Sequence, residues 1–251
     1  MPDSSLLMAE LSGWIALFMV IVARLSFVVF LMPGIGAQTV PARVRISLIL
    51  AVTTAFAASG IVPQPDAEEL SALVGLIISE GVIGLFLGVL LRLSIWMLSI
   101  AGTLIAQVIG LAQLLGIALE SEAQTITANM LSLAGAALLL TADYHIGVVV
   151  RLSELYSEIP VGALSDIDFT FVVKKGYDAF AFAILLAWPF VAINLLYNIC
   201  LGFINKALPS LMVAFVGAPF MIGAGLLLLT LSIVTMLTVW QDRVPGLIGW
   251  L

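Results

Sequence analysis

The sequence predicts an all-α membrane protein with about six long hydrophobic helices arranged in hairpins. Hydrophobic residues make up 63% of the 251 residues and charged residues only 10%. A soluble domain would carry about a quarter charged residues, so this chain cannot cover its surface with polar side chains. Its apolar blocks lack the alternation of a transmembrane barrel, and a helix satisfies its own backbone polar groups inside lipid.

Polar or Pro- and Gly-containing breaks separate the apolar blocks, and the longest of them is the polar segment over residues 151–178. They cover residues 11–32, 46–62, 70–91, 93–119, 128–150, 179–203 and 207–240. We predict about six of them as firm spans, because they approach or exceed the ~20 residues that cross a hydrocarbon layer. Block 93–119 is the uncertain one, since Gly and Gln in its second half favour backbone that is buried in protein or lines a cavity. The last block exceeds one crossing, so we expect it to bend or to project beyond the bilayer.

The charges at the ends of the blocks predict an orientation. Arg43 and Arg45 mark the connection after the first block as cytoplasmic by the positive-inside rule. The acidic connection around residues 66–69 contains no Lys or Arg and fits the opposite side, which places the N-terminus outside. No basic region precedes the first block, so we interpret it as a retained span and not as a cleaved signal peptide.

The composition argues against several classes of function. With one Cys and one His, the chain can form neither an internal disulfide nor a metal site with two Cys or two His ligands. We therefore expect no metal and no cofactor. A net charge of -6 argues against binding to nucleic acid. The HExxH, GxSxG and phosphate-loop motifs are absent from the sequence, so we expect no enzymatic activity.

Three charged residues interrupt the apolar blocks. Arg24 and Glu80 lie deep inside theirs, where a charge is costly and needs a partner. We expect each to be buried against polar groups of this chain or of a neighbouring subunit, and the sequence does not specify whether the two pair with each other. Arg92 is expected to lie at a helix end, where its side chain can reach water; a polar partner is the alternative.

Small residues predict a close helix contact in the third block. Gly84 and Gly88 have the GxxxG spacing, and Gly81 adds a further small position. Such residues let two helix backbones approach each other. We therefore expect a packing face here, which by itself says nothing about activity.

Polar residues near block ends have simpler explanations than catalysis. Asn194 and Asn198 share one helix face, and we expect them to bond to a neighbouring helix; lining a polar channel is the alternative. Asp143 and His145 are two residues apart, so they do not face each other on a helix. We expect a helix end near water there in preference to a proton relay.

Several stretches of the chain carry a family resemblance through their order and spacing. They are FMVIVARLS at 18–26 with MPGIG at 32–36, VPARVR at 40–45, EGVIGLFLG at 80–88 with AQVIG at 106–110, and LGFINKALPSL at 201–211. With them the chain resembles the FliR family of flagellar export-gate membrane proteins and their SctT-type counterparts in injectisomes. Two local departures are LESEAQ at 119–124 and LMV at 211–213.

The resemblance implies a non-enzymatic subunit of the flagellar type III protein export gate. Such a subunit forms part of the channel through which unfolded flagellar subunits cross the inner membrane. The resemblance also implies FliP-like and FliQ-like membrane partners, FlhB-like and FlhA-like export components, and contact with lipid. It places the chain in the bacterial inner membrane as a multi-pass protein of the flagellar basal body.

The resemblance further implies a division of the chain. Residues 1–178 would be FliP-like, and residues 179–251 would form a FliQ-like helical hairpin. A plug loop at about residues 107–122 would help to close the pore, since apolar side chains exclude water at a constriction. Its candidate residues are Gln107, Ile109, Gly110, Leu111, Gln113, Leu114, Leu115, Gly116 and Ile117. The polar residues expected to be buried or to lie between subunits are Arg24, Glu80, Arg92, Asn194, Asn198, Asn205 and Lys206.

Two alternatives stay open at this point. An injectisome export-gate subunit is the nearer one, because the resemblance covers both systems. A small-solute secondary transporter is the more distant one; it predicts internal repeats and broken helices that meet near the middle of the membrane.

Overall fold

The structure is a computed structural model that describes residues 4–37, 39–65, 69–110, 120–207 and 213–248, and most of these residues are helical. No β-strand occurs in these residues. The helices are α1 (Ser4–Leu31), α2 (Ala42–Ser59), α3 (Leu70–Ile109), α4 (Glu120–Thr141), α5 (Tyr144–Glu158), α6 (Phe169–Ala207), α7 (Val213–Arg243) and α8 (Pro245–Ile248). A single turn of 3₁₀-helix, Leu164–Asp166, lies between α5 and α6.

The prediction of an all-α membrane protein is confirmed. Among the described residues, five helical segments are long and apolar enough to cross a membrane. They are Glu10–Leu31, Ala42–Ser59, Leu70–Ile109, Phe169–Ala207 and Gly217–Arg243. The bent pair formed by α4 and α5 brings the number to six if it is counted as one span.

The predicted break at Arg92 is wrong. Helix α3 continues through this residue and is 40 residues long, or about 60 Å at 1.5 Å per residue. Arginine is a good helix former, so one charge between two apolar runs does not end a helix. Arg92 is half-buried in the middle of α3 and not at a helix end as predicted.

The fifth block, predicted as one helix over residues 128–150, consists of two. Helix α4 ends at Thr141 and α5 begins at Tyr144, with a bend of 67° between them. Asp143 lies at the bend in the left-handed conformation, with φ 55°. Because Asp tolerates this conformation better than most residues, it can turn the chain within an otherwise apolar stretch. Asp143 is therefore at a helix end, as predicted.

The polar segment predicted over residues 151–178 is largely helical. Helix α5 extends to Glu158, and its partly exposed Arg151 forms ion pairs with Glu154 and Glu158. Helix α6 already begins at Phe169. Its first turn is capped by Asp168, whose Oδ1 accepts the Thr170 N–H at 2.9 Å, as N-cap residues do.

The helices form two compact units, each built from separate parts of the chain. The first unit comprises Met1–Arg92, Leu139–Lys175 and Leu247–Leu251, and the second comprises Leu93–Leu138 and Gly176–Gly246. The boundaries of these units differ from the division into residues 1–178 and 179–251. That division is based on family resemblance and stays a prediction.

Each unit has a buried apolar interior. In the first unit α1, α2, α3 and α5 contribute, with fully or almost fully buried side chains such as Ile21, Leu25, Ile83 and Leu155. In the second unit, Trp240 of α7 is fully buried. Its Nε1 donates a hydrogen bond of 2.7 Å to the Ser94 carbonyl of α3, so the indole satisfies its one polar group while its rings pack in the interior.

Candidate functional site

Arg24 of α1 and Glu80 of α3 form an ion pair in the first unit. Arg24 Nε donates to Glu80 Oε2 at 2.6 Å, and Arg24 Nη2 donates to Oε1 at 3.0 Å. Both side chains are 0% exposed. A two-point contact between a guanidinium and a carboxylate is the strongest geometry for such a pair. Each charge therefore has its partner inside the chain, although the sequence did not predict that the two would pair.

The same two side chains hold the connection between α5 and α6. Arg24 Nη2 also donates to the Ile159 carbonyl at 3.1 Å, and the Gly162 N–H donates to Glu80 Oε1 at 3.0 Å. Gly162 has a φ of +83°, a conformation that glycine adopts without strain. The ion pair therefore joins three parts of the first unit: α1, α3 and the connection at Ile159 and Gly162.

An aromatic side chain covers the guanidinium. The Cζ of Arg24 lies 4.1 Å from the ring centroid of Tyr156, which is a cation–π contact. Tyr156 belongs to α5 and is itself buried, and the Phe56 ring of α2 meets it edge-on at 6.1 Å between centroids. The charge is thus enclosed by carboxylate, carbonyl and aromatic groups, the groups that compensate a cation removed from water.

Glycines of α3 allow the close approach that the ion pair needs. A Cβ on Gly84 would overlap the Arg24 carbonyl, and one on Gly88 would lie 2.7 Å from the Phe27 carbonyl oxygen. A Cβ on Gly81 would only touch the Phe27 ring, at 3.4 Å. Because residues four apart share a helix face, the face that bears Gly84 also presents the carboxylate at position 80 to α1.

A cavity of about 310 Å³ lies in the second unit. It lies between the end of α3 and parts of α6 and α7. Its lining residues are Gln107, Val108, Ile109, Gly110, Asn194, Tyr197, Asn198, Leu201, Ala218 and Met221. Three of these side chains are carboxamides and one is a phenol, so the cavity is half polar although it lies among apolar helices.

The two asparagines in the cavity bond to each other along α6. Asn198 Nδ2 donates to the Asn194 carbonyl at 2.8 Å and to Asn194 Oδ1 at 2.9 Å. The bond to a neighbouring helix that we expected is not formed among the described residues. The reason is geometric: at a spacing of four on α6, each amide reaches its neighbour on the same face, and that face turns toward the cavity.

Small residues also bring α7 close to the other walls of the cavity. The Tyr197 hydroxyl occupies the space that a Cβ on Gly217 would need, and the Ile109 side chain does the same at Gly225. These contacts place the end of α3 and one face of α6 against α7.

The predicted plug loop falls largely outside the described residues. Leu111, Gln113, Leu114, Leu115, Gly116 and Ile117 belong to the part of the chain that is not described, so the loop at residues 107–122 stays a prediction. The preceding residues end α3. Gly110 has a φ of +73° and donates its N–H to the Gln107 carbonyl at 3.2 Å, which is a common way to end a helix.

The remaining predicted polar residues do not join either cluster. Asn205 and Lys206 are exposed in the last turn of α6, where a lysine complements the negative end of the helix dipole. His145 is half-buried in the first turn of α5. In the described part of the chain, no group of His, Cys, Asp and Glu side chains is placed to hold a metal ion.

Several residues of these clusters were missed by reasoning from the sequence. Tyr156, Ile159 and Gly162 surround the ion pair, and Tyr197 lines the cavity, but no local pattern marks any of them. Gly162 follows Pro160 closely and could have been recognised as a turn residue. Its contact with the Glu80 carboxylate, 82 residues away, could not have been predicted from the sequence.

Comparison with known proteins gives a family that covers nearly the whole chain. The family model described as "Bacterial export proteins, family 1" matches residues 15–246. The chain is 31% identical to the flagellar biosynthetic protein FliR of Caulobacter vibrioides over 88% of this chain and 90% of that protein. It is 24% identical to the FliR proteins of Escherichia coli, over 86% of this chain and 84% of that protein, and of Aquifex aeolicus, over 87% of each.

The family match runs over residues 15–246, and the Caulobacter vibrioides protein is 31% identical over most of both chains. The resemblance noted from the sequence is confirmed, and the chain belongs to the FliR family of bacterial export proteins.

Proposed function

We propose that this chain, a membrane subunit of the flagellar protein export gate, forms part of the channel through which unfolded flagellar subunits cross the inner membrane. The observation that carries the proposal is the match to "Flagellar biosynthetic protein FliR" over 88% of the chain. The flagellar names of the relatives favour a flagellum over an injectisome. The bend of 67° between α4 and α5 is a broken helix of the kind that a small-solute transporter predicts, but the family match over most of the chain favours the export gate.

The arrangement of α6 and α7 supports the proposed FliQ-like hairpin at residues 179–251. Tyr197 of α6 lies against Gly217 of α7, and the Arg243 guanidinium lies 5.6 Å from the Phe182 ring centroid. An early residue of α6 therefore meets a late residue of α7, which is the antiparallel order of a hairpin. Residues 1–178, with a plug at about 107–122, form the FliP-like part in this proposal.

Exposed apolar side chains support assembly with other membrane proteins. Leu231 and Val234 of α7 are 72% and 68% exposed, and Leu185 of α6 is 67% exposed. In the cell such side chains face lipid or neighbouring subunits, since water is costly for them. We propose that the neighbours are FliP-like and FliQ-like proteins, with FlhA-like and FlhB-like components nearby in the basal body.

A structural role without catalysis is the simplest account of the charged groups. The Arg24 and Glu80 charges neutralise each other within the first unit and bind backbone groups of the same unit. They do not form a free acid or base. We propose that this chain shapes the channel while other components supply energy and read the cargo.

The proposal is tested by deleting the gene in the native bacterium and purifying the tagged protein in mild detergent. Deletion should abolish motility and the secretion of flagellar subunits into the medium, and the intact gene should restore both. Mass spectrometry should find FliP-like and FliQ-like proteins in fixed ratio with the tagged chain. Normal secretion in the deletion strain, or purification of the chain alone, would count against the proposed function.

A further inference from the structure

We infer that the cavity at the end of α3 binds the backbone of the unfolded polypeptide in transit. The inference rests on the proposed export function and adds a contact site to it. It concerns the second unit alone, where Gln107, Asn194 and Asn198 face a common space. Four properties of the cavity support it: the chemistry of the lining, the free hydrogen-bonding groups, their spacing and the size of the space.

The lining matches a peptide group in chemistry. A carboxamide carries the same carbonyl acceptor and N–H donor as a peptide bond, and three carboxamides line this cavity. None of the ten lining residues is Asp, Glu, Lys, Arg or His. A neutral lining of this kind favours neither a charged solute nor a lipid headgroup, whereas the peptide group is what all exported chains share.

The asparagine pair leaves one donor and one acceptor free. Asn198 uses its Nδ2 on Asn194, and within the described residues its Oδ1 and the Nδ2 of Asn194 have no partner. An extended polypeptide offers an N–H and a C=O along each edge, and protein surfaces that bind it supply the complementary groups.

The spacing of the pair also fits an extended chain. Residues four apart on a helix are separated by about 6 Å along the axis. In an extended chain, groups that point to the same side recur every two residues, or about 6.6–6.8 Å. The positions of Asn194 and Asn198 on α6 are therefore spaced like successive same-side groups of one extended segment.

The size and the apolar lining suit a segment that passes through. A volume of about 310 Å³ is roughly ten times the ~30 Å³ share of one water molecule, so the space admits a short stretch of chain. Leu201 and Met221 supply apolar contact, and methionine adapts to differently shaped side chains. Hydrogen bonds between neutral groups would bind the polypeptide weakly. Weak binding is required at a site in a channel, because the bound segment has to move on.

The test is photo-crosslinking in living cells. A benzophenone amino acid replaces Asn198 in the full-length chain, within its native complex. The cells also produce a flagellar export substrate whose C-terminal fusion domain folds stably and stalls it in the gate. The same probe at Leu195, which lies on α6 outside the cavity lining and is 60% exposed, is the control.

We expect the substrate adduct from position 198 to be at least roughly fivefold stronger than the adduct from position 195. The reason is that the probe reacts only with groups in direct contact with it. Equal adducts at the two positions, or none at 198, would overturn the inference. Secretion of the unfused substrate is scored in parallel in cells with and without this chain. If secretion does not depend on the chain, the proposed function fails; if it does and position 198 gives no adduct, only the cavity inference fails.

A second experiment replaces Asn198 either with a side chain of the same branched shape or with one of the same chemistry. Asn198→Leu removes the amide, and we expect it to slow secretion roughly threefold to tenfold, the effect of one lost hydrogen bond. Asn198→Gln restores an amide and should recover most of the rate. Gate abundance in the membrane is measured for each variant. Equal rates for wild type, Asn198→Leu and Asn198→Gln at equal abundance would contradict the inference.

Discussion

Removing the carboxylate of Glu80 should destabilise the chain strongly, because it leaves the Arg24 charge buried without its partner. The side chain of Arg24 is 0% exposed and donates two hydrogen bonds to Glu80. Breaking a buried ion pair from one side costs about 3–5 kcal/mol. The Gly162 N–H also loses its acceptor in a part-buried hydrogen bond, which adds about 1 kcal/mol. We therefore expect Glu80→Leu to lower the free energy of unfolding by at least about 3 kcal/mol.

Replacing both charges together should cost much less. Buried ion pairs that are exchanged for apolar residues of similar volume are often neutral or stabilising. In Arg24→Met/Glu80→Leu no charge remains buried, and the remaining cost is the pair of backbone groups at Ile159 and Gly162, about 1 kcal/mol each. The double variant should thus be more stable than Glu80→Leu alone.

The assay is unfolding in a graded mixture of sodium dodecyl sulfate and mild detergent, followed by fluorescence of the tryptophans. The more accessible pair of Arg151 and Glu158, with side chains 26% and 51% exposed, is the matched control. Its removal by Arg151→Met should cost at most about 1 kcal/mol. The reasoning is refuted if Glu80→Leu costs no more than this control, or if the double variant is no more stable than Glu80→Leu.

Three further predictions use the same assay. Gly84→Ala should lower the free energy of unfolding, because the added Cβ would overlap a carbonyl of α1. Gly75→Ala on the same helix meets open space and should raise that free energy by up to about 1 kcal/mol. Changes of the same sign in the two variants would contradict this reasoning. Trp240→Phe should cost about 1–3 kcal/mol through a lost buried hydrogen bond and lost volume, whereas Trp188→Phe, 59% exposed, should change stability by less than about 0.5 kcal/mol. Asp168→Ala should destabilise at neutral pH, since hydrogen bonds from the threonine two residues on lower the pKa of Asp168 below its ordinary value of 3.8. That stabilisation is complete above pH 3.8 and is lost as the pH falls through the lowered pKa, so a difference from wild type that does not shrink in acid would be evidence against it.

The overall class of the molecule followed from local composition. A helix that crosses lipid must be long and apolar, and both properties can be counted along the chain. The first, third, sixth and seventh blocks therefore correspond to α1, α3, α6 and α7. The cost of a buried charge likewise indicated, from the sequence alone, that Arg24 and Glu80 needed partners.

Helix ends were harder to predict, because they depend on single residues. The break predicted at Arg92 is absent, since a long flexible side chain can remain in a helix and α3 continues through it. The bend at Asp143 falls inside a predicted block, since its left-handed conformation is a property of one residue and leaves no periodic signal. An average of the composition over about 20 residues detects neither the continuation of α3 through Arg92 nor the bend at Asp143.

The amino-acid sequence alone is enough to establish a helical membrane protein, a resemblance to the FliR family, and two buried charges that require compensation. The tertiary structure is needed to show which groups compensate them and which residues share a cavity. Arg24 and Glu80 are 56 residues apart, and Gln107 and Asn194 are farther apart still. Their contacts depend on where helices cross and in which register, which is set by the combined packing of many side chains. Periodicity along one helix identifies a face, but it contains no information about the helix that will cover it.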